Sequence, residues 1–181
     1  GIPAAKFNDD RLERTLDAIQ PHCQAIWREV VDQALIQTDI DLSVLFYDLT
    51  AFVVHGSYRG SCHVDFGFAN NTPMRKRKFK VGLSVARDGR VIIDYRLWPG
   101  RTTDMATVQE NMARLAHLLQ RQGRSPTRTM IIGDRANVDD KLALAYDDHG
   151  LRYLAGLRLL KNVHKALVEE PDDAQFYALP L

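Results

Sequence analysis

The stretch Leu42-Ser-Val-Leu-Phe-Tyr-Asp-Leu-Thr50 decides how the rest of the chain is read. It is a short apolar run that delivers one carboxylate, Asp48, at its end. Thr129-Met-Ile-Ile-Gly-Asp-Arg-Ala136 repeats the arrangement and delivers Asp134. Side chains alternate along a strand, so Val44, Phe46 and Asp48 share one face, as do Met130, Ile132 and Asp134. A carboxylate that follows buried apolar neighbours off a strand end sits at the rim of a sheet, where ligands of α/β folds usually bind. The two acids share a site if the two strands are neighbours.

On the N-terminal side, Asn8-Asp-Asp10 reads as a helix start, with a capping side chain and acids in the first turn. Leu12, Leu16 and Ile19 follow at helical spacing. Pro21 suits the first turn of a second helix, whose apolar face is Ile26, Val30 and Ala34 flanked by Trp27 and Val31. On the C-terminal side, Leu49 to Tyr58 continues as a short strand and gives way to a glycine-containing loop up to Pro73. Phe79, Val81, Leu83 and Val85 then alternate with smaller or polar residues, as do Val91, Ile93, Tyr95 and Leu97. Asp88-Gly89 between them signals a hairpin turn.

Thr102-Thr103-Asp104 offers caps for a long helix striped by Met105, Val108, Met112, Leu115 and Leu119, and closed by Gly123 and Pro126. After the Asp134 strand come a helix over 138–149, capped by Gly150, and a strand over 152–157. The order is two helices, a strand, a hairpin, then helix, strand, helix, strand. Three early strands, partly antiparallel, followed by helix-linked parallel strands make a mixed α/β sheet with helices on both faces. That is the order of the ribonuclease H-like fold. Residues 1–38 read as a helical N-terminal segment and 39–181 as the core.

The 181 residues suit one domain of ordinary size. Hydrophobic residues at 45% and charged residues at 26% are the balance of a globular protein, with no run long enough to cross a membrane and no signal-peptide core. Two cysteines, Cys23 and Cys62, make no disulfide framework, so a reducing, cytoplasmic setting is expected. The net charge of +1 neither demands nor excludes nucleic acid, but its distribution is uneven.

Two carboxylates at adjacent strand ends repel unless a cation or proton separates them. Hard oxygen ligands in small number suit Mg²⁺ or Mn²⁺, which keep waters and accept phosphate oxygens. Such a site supports in-line phosphodiester displacement, generally with a third acid. Arg75-Lys-Arg-Lys78 and Lys80 form a basic cluster able to grip DNA phosphates, or else a solvated edge strand. Arg135 beside Asp134 contacts a phosphate or balances its neighbour. His55, Cys62, His63 and Asp65 match no closed zinc site, Asp104 is a helix-start acid, and Met105 and Met112 belong to the core stripe.

Tyr47-Asp48-Leu49-Thr50, the hairpin from Val81-Gly82-Leu83 to Trp98-Pro99-Gly100, Thr103-Asp104 and Ile132-Gly133-Asp134-Arg135 resemble the DDE transposases of bacterial insertion sequences, in the family's order, from about Asn8 to Leu160. The resemblance implies that Asp48 and Asp134 bind Mg²⁺ or Mn²⁺ and are catalytic. It further implies double-stranded DNA, both mobile-element ends and target, as partner, with cutting of the ends and strand transfer. It leaves a homodimer open. The family's third acid, a Glu within a Tyr-Arg-Glu-Lys-like motif, has no counterpart, because Glu169 and Glu170 lack that setting. The expectation is therefore a fragment, inactive alone.

Two other readings compete. One is a non-catalytic DNA-binding or oligomerising remnant. The other is a haloacid-dehalogenase-like phosphatase, which would want an acid at Thr50 and a mainly parallel fold after Asp48.

Overall fold

The computed structural model describes residues 3, 7–69, 72–134 and 139–156. Two helices, α1 (Asp9–Ile19) and α2 (Cys23–Gln37), precede the sheet, and the Asn8 side chain caps α1 by accepting the Arg11 N–H. The apolar run around Asp48 forms β1 (Val44–Val53), which carries straight through Asp48 rather than ending there. The expected hairpin follows as β2 (Lys78–Ala86) and β3 (Ile92–Pro99), with Gly89 at φ 61° and Arg90 at φ 53° in its turn. Then come α3 (Asp104–Arg121), capped by Thr103, and β4 (Met130–Gly133). The chain continues through α4 (Asp140–Asp148), capped by Asp139, to β5 (Arg152–Ala155).

The five strands lie in the order β3-β2-β1-β4-β5. β1 pairs antiparallel with β2, and β2 with β3, while β1–β4 and β4–β5 are parallel. A partly antiparallel first half followed by helix-linked parallel strands is the ribonuclease H-like arrangement. The hairpin register slips at Ser84/Val85, where Ser84 pairs with Asp94 but Val85 with Ile92, so that β3 carries one extra residue.

α2, α3 and α4 contribute to one core on one side of the sheet, built on Leu45, Tyr47, Ala86 and Ile131. The α3 stripe delivers Val108, Met112, Leu115 and Leu119, all fully buried and each contributing about 2 kcal/mol. Met105, expected in that stripe, is exposed. Helices are thus found on one face among the described residues. The other face carries Phe46, Phe52, Leu97 and Leu154, all partly open to solvent, with Phe52 stacked on Phe79 at 5.3 Å.

This assignment inverts what alternation in β2 suggests. Phe79, Val81, Leu83 and Val85 lie on the half-open face, while Lys78, Lys80, Gly82, Ser84 and Ala86 are buried. The reason lies in α3, which lowers polar partners onto that face. Lys80 Nζ bonds Asp104 Oδ1 at 2.9 Å, and Ser84 Oγ donates to Asn111 Oδ1 at 2.9 Å. Gly82 leaves the space that the Tyr47 hydroxyl occupies, since a Cβ there would lie 2.8 Å from that oxygen.

The N-terminal helices also differ from expectation. Leu12, Leu16 and Ile19 of α1 are exposed, and α1 buries no residue. In α2 the inward stripe is Trp27, Val31 and Leu35, one residue or about 100° around the helix from Ile26 and Val30, which face solvent. α2 therefore shares the core of the sheet, with Trp27 edge-on to Tyr95 at 5.1 Å.

Tyr47 and Tyr146 give this core a pH limit. Burial pushes the Tyr47 phenol up to about 12, against the opposing hydrogen bond with Thr107 and with help from Asp104 and Asp48. Burial raises Tyr146 as well. The unfolded phenol ionises near pH 10, so the folded state holds the proton longer. Stability is therefore fully present below pH 10 and is lost as pH rises to 12, by about 3 kcal/mol for Tyr47. Urea midpoints measured across this window should fall steeply, and less steeply in Tyr47→Phe.

Candidate active site

The parallel pairing of β1 and β4 carries the two sequence-predicted acids toward the same end of the sheet. Val44 pairs with Met130, Leu45 with Ile131 and Phe46 with Ile132. The ladder ends at that pair, with Asp48 two residues beyond Phe46 on β1 and Asp134 two residues beyond Ile132, past the end of β4. β4 ends at Gly133, so Asp134 is the first residue past its end and β1 runs on alone along that flank. Both carboxylates are exposed.

Two expectations are corrected. The rim at Asp48 is made by the ending of β4, because β1 itself continues to Val53. The apolar neighbours on the face of Asp48 are also not the buried ones. Phe46 is 42% exposed, whereas Leu45, Tyr47 and Ile131, pointing the other way, are in the core. Asp48 thus stands on the open face of the sheet, opposite Leu83 of β2. Its Oδ1 accepts the Leu49 N–H at 2.8 Å, which orients the carboxylate plane.

The basic cluster divides. Arg75 and Lys76 are exposed, and Arg77 is half-buried with its guanidinium 5.1 Å from the centroid of the Phe66 ring. Lys78 and Lys80, expected to contact phosphate, are buried at 0% and 3% exposure. Lys78 Nζ donates to Gly67 O (2.8 Å), Thr72 Oγ1 (2.9 Å) and Pro73 O (3.0 Å), and Lys80 Nζ to Thr102 O and Asp104. With all three donors of Lys78 used inside the protein, it has none for DNA. Arg135, Glu169 and Glu170 lie outside the described residues.

Asp104 is the helix-start acid expected, and its partner is Lys80. Asp65 pairs with Arg101 at 2.7 Å. Among the described residues no three His, Cys, Asp or Glu side chains gather as metal ligands. Reading the sequence missed the inward role of Lys78 and Lys80. The available signal was a period-two row of polar residues, Lys80 and Ser84, matched by Asp104, Thr107 and Asn111 at helical spacing on α3.

Strand order and strand directions define a ribonuclease H-like α/β domain. Its antiparallel β1–β2 pairing departs from the mainly parallel sheet that the phosphatase reading requires. No protein-family model matches the chain, and no curated protein matches its sequence. Among solved structures it is similar to a Mos1 transposase paired-end complex with left transposon end, at 15% identity and a TM-score of 0.43 over 85% of this chain and 60% of that one. It is similar also to a piggyBac transposase synaptic complex with hairpin DNA, at 17% identity and a TM-score of 0.47 over 71% of this chain and 27% of that one. A third is the Mos1 transposase catalytic domain with Raltegravir and Mn, at 15% identity and a TM-score of 0.41 over 82% of this chain and 72% of that one. The chain spans less than two thirds of the length of the first two.

Proposed function

We propose that this chain is the catalytic core of a DDE transposase of the bacterial insertion-sequence kind, acting on the phosphodiester bonds of double-stranded DNA. The observation that supports the reading is the parallel β1–β4 pairing, which ends two residues before Asp48 on one strand and two before Asp134 on the other. Two exposed carboxylates with hard oxygen donors fit Mg²⁺ or Mn²⁺, ions that are commonly held by one or two carboxylates, waters and substrate phosphates. Asp48 and Asp134 would hold such an ion, which supplies Lewis-acid stabilisation of the charge developing on phosphate oxygens. Asp48 contributes through a carboxylate already oriented by the Leu49 N–H. Arg75 and Lys76, exposed before β2, would bind the DNA backbone without regard to sequence and with strong salt dependence. A third acid belongs to this chemistry, and among the described residues none joins the pair.

The test is a Mn²⁺ titration followed by water-proton relaxation on the chain and on Asp48→Asn and Asp134→Asn. Each variant is expected to weaken binding about tenfold or more, since each removes one charged ligand. Binding that is the same in all three would sink the paired site and favour the non-catalytic, DNA-binding remnant.

A further inference from the structure

α2, α3 and β3 enclose a second cleft that plays no part in the carboxylate site. It has a volume of about 110 Å³ and lies against the helical side of the sheet, with Gln24, Trp27 and Arg28 on one wall and Arg114 and His117 on the other. Asp94 forms its floor. The acid there is already neutralised. Arg114 grips Asp94 through two hydrogen bonds, Nε to Oδ2 at 2.9 Å and Nη2 to Oδ1 at 2.5 Å. That hydrogen-bonded pairing raises the Arg114 guanidinium further. Arg121 at the cleft's edge is balanced in the same way by Asp32 at 2.8 Å.

What remains unpaired is of one kind. The Trp27 indole Nε1–H is buried and has no hydrogen-bond partner among the described residues. That nitrogen is closed off from solvent, so the indole ring is part of the wall of the cleft and not a contact point. Arg28 and His117 line the same cleft, and no hydrogen bond or ion pair of either is found among the described residues. A guanidinium offers donors only, and an imidazole at least one. A ligand rich in acceptors and carrying negative charge therefore satisfies the cleft. The volume holds a single tetrahedral oxyanion and falls well short of the roughly 300 Å³ or more of sites for larger ligands.

We propose that this cleft binds one phosphate group, with Arg28 and His117 as its donors, the Trp27 ring as a wall that reports on it, and the Arg114–Asp94 pair as its rigid floor. The phosphate comes either from a nucleic-acid backbone or from a free phosphate ion, and the chemistry of the cleft is the same for both. The proposal does not depend on the function of Asp48 and Asp134.

The chain has two tryptophans, so its ¹H–¹⁵N spectrum carries two indole cross-peaks, and Trp27→Phe identifies which is which. Inorganic phosphate, added at constant ionic strength, is expected to move the Trp27 indole peak saturably and to leave that of Trp98 in place. A short DNA duplex forms the second arm. Movement with inorganic phosphate alone assigns the free ion, and movement with the duplex, alone or as well, assigns the backbone phosphodiester. Arg28→Gln and His117→Gln change exposed side chains and should each weaken the response about tenfold, the loss of one charge-assisted contact. An unmoved Trp27 peak in both arms overturns the proposal, as does a response that neither substitution weakens.

Discussion

Gly100→Ala is expected to destabilise the fold by about 3 kcal/mol, at the upper end for a single added methyl. A Cβ at Gly100 would lie 2.5 Å from Lys78 O and 2.6 Å from Asp65 O. Both atoms are backbone carbonyls, and both are committed. Asp65 N–H donates to Lys78 O at 3.0 Å, and Lys78 N–H to Asp65 O at 2.9 Å. Relieving the clash means breaking this bridge or moving the start of β2, so a rotamer change cannot absorb it. The gain from stiffening the unfolded chain, about 0.4–1 kcal/mol, is too small to compensate. Gly123→Ala is the control. It has φ +66° with nothing within 4 Å of an added Cβ, so only backbone strain of about 1 kcal/mol is expected. Thermal melts should show a Tm loss of about 6–12 °C for Gly100→Ala and a third of that for Gly123→Ala. Equal losses would mean that close packing at Gly100 does not matter.

Lys78→Met should release the segment that precedes β2. The ammonium ties Gly67, Thr72 and Pro73 to the strand with three hydrogen bonds, and no carboxylate is among its partners. Methionine keeps the apolar stem and removes all three. Hydrogen bonds to a charged donor contribute about 1.5–3 kcal/mol each. Against this, Met avoids the several kcal/mol that desolvating an ammonium costs, so the net loss is expected near 3 kcal/mol rather than the sum. The loss is local, because water can reach the freed carbonyls once Gly67 and the stretch 72–77 lift. Trypsin has targets inside that segment at Arg75, Lys76 and Arg77. Cleavage there is expected to accelerate about a hundredfold while β1–β2 pairing survives. An unchanged cleavage rate would mean that the lysine does not hold the loop.

The strands, the hairpin and α3 were legible because each carries a clear period and its own turn or cap residues, Gly89 and Thr103 among them. Which face of the sheet is covered was not legible. Phe79, Val81, Leu83 and Val85 look like core, and Lys78, Lys80 and Ser84 look like surface, since lysine is almost never fully buried without partners. Those partners, Asp104, Asn111 and the carbonyl of Gly67, lie 11 to 27 positions away and meet the strand only in three dimensions. The same limit hid the Arg114–Asp94 pair, which joins the middle of a helix to an edge strand across 20 positions. α1 was misjudged for the opposite reason. Its stripe of Leu12, Leu16 and Ile19 is genuine, but periodicity does not say what, if anything, covers a stripe.

The two halves of the sheet differ in how far the chain must travel to make them. The hairpin pairs near neighbours, and β1 and β2 are joined by one intervening loop. Val44 and Met130 come together across 86 positions, the longest-range pairing in the sheet. Long loops close slowly, and contacts of high sequence separation tend to form late in folding. Bringing Asp48 and Asp134 to one end of the sheet depends on that last closure. A chain with its hairpin built and β4 still unpaired holds each acid separately, with nothing to bring them to the same end of the sheet. During synthesis, a ribosome that has made β1, β2 and β3 has displayed one acid and not yet made the other, so the candidate site is a property of the completed sheet.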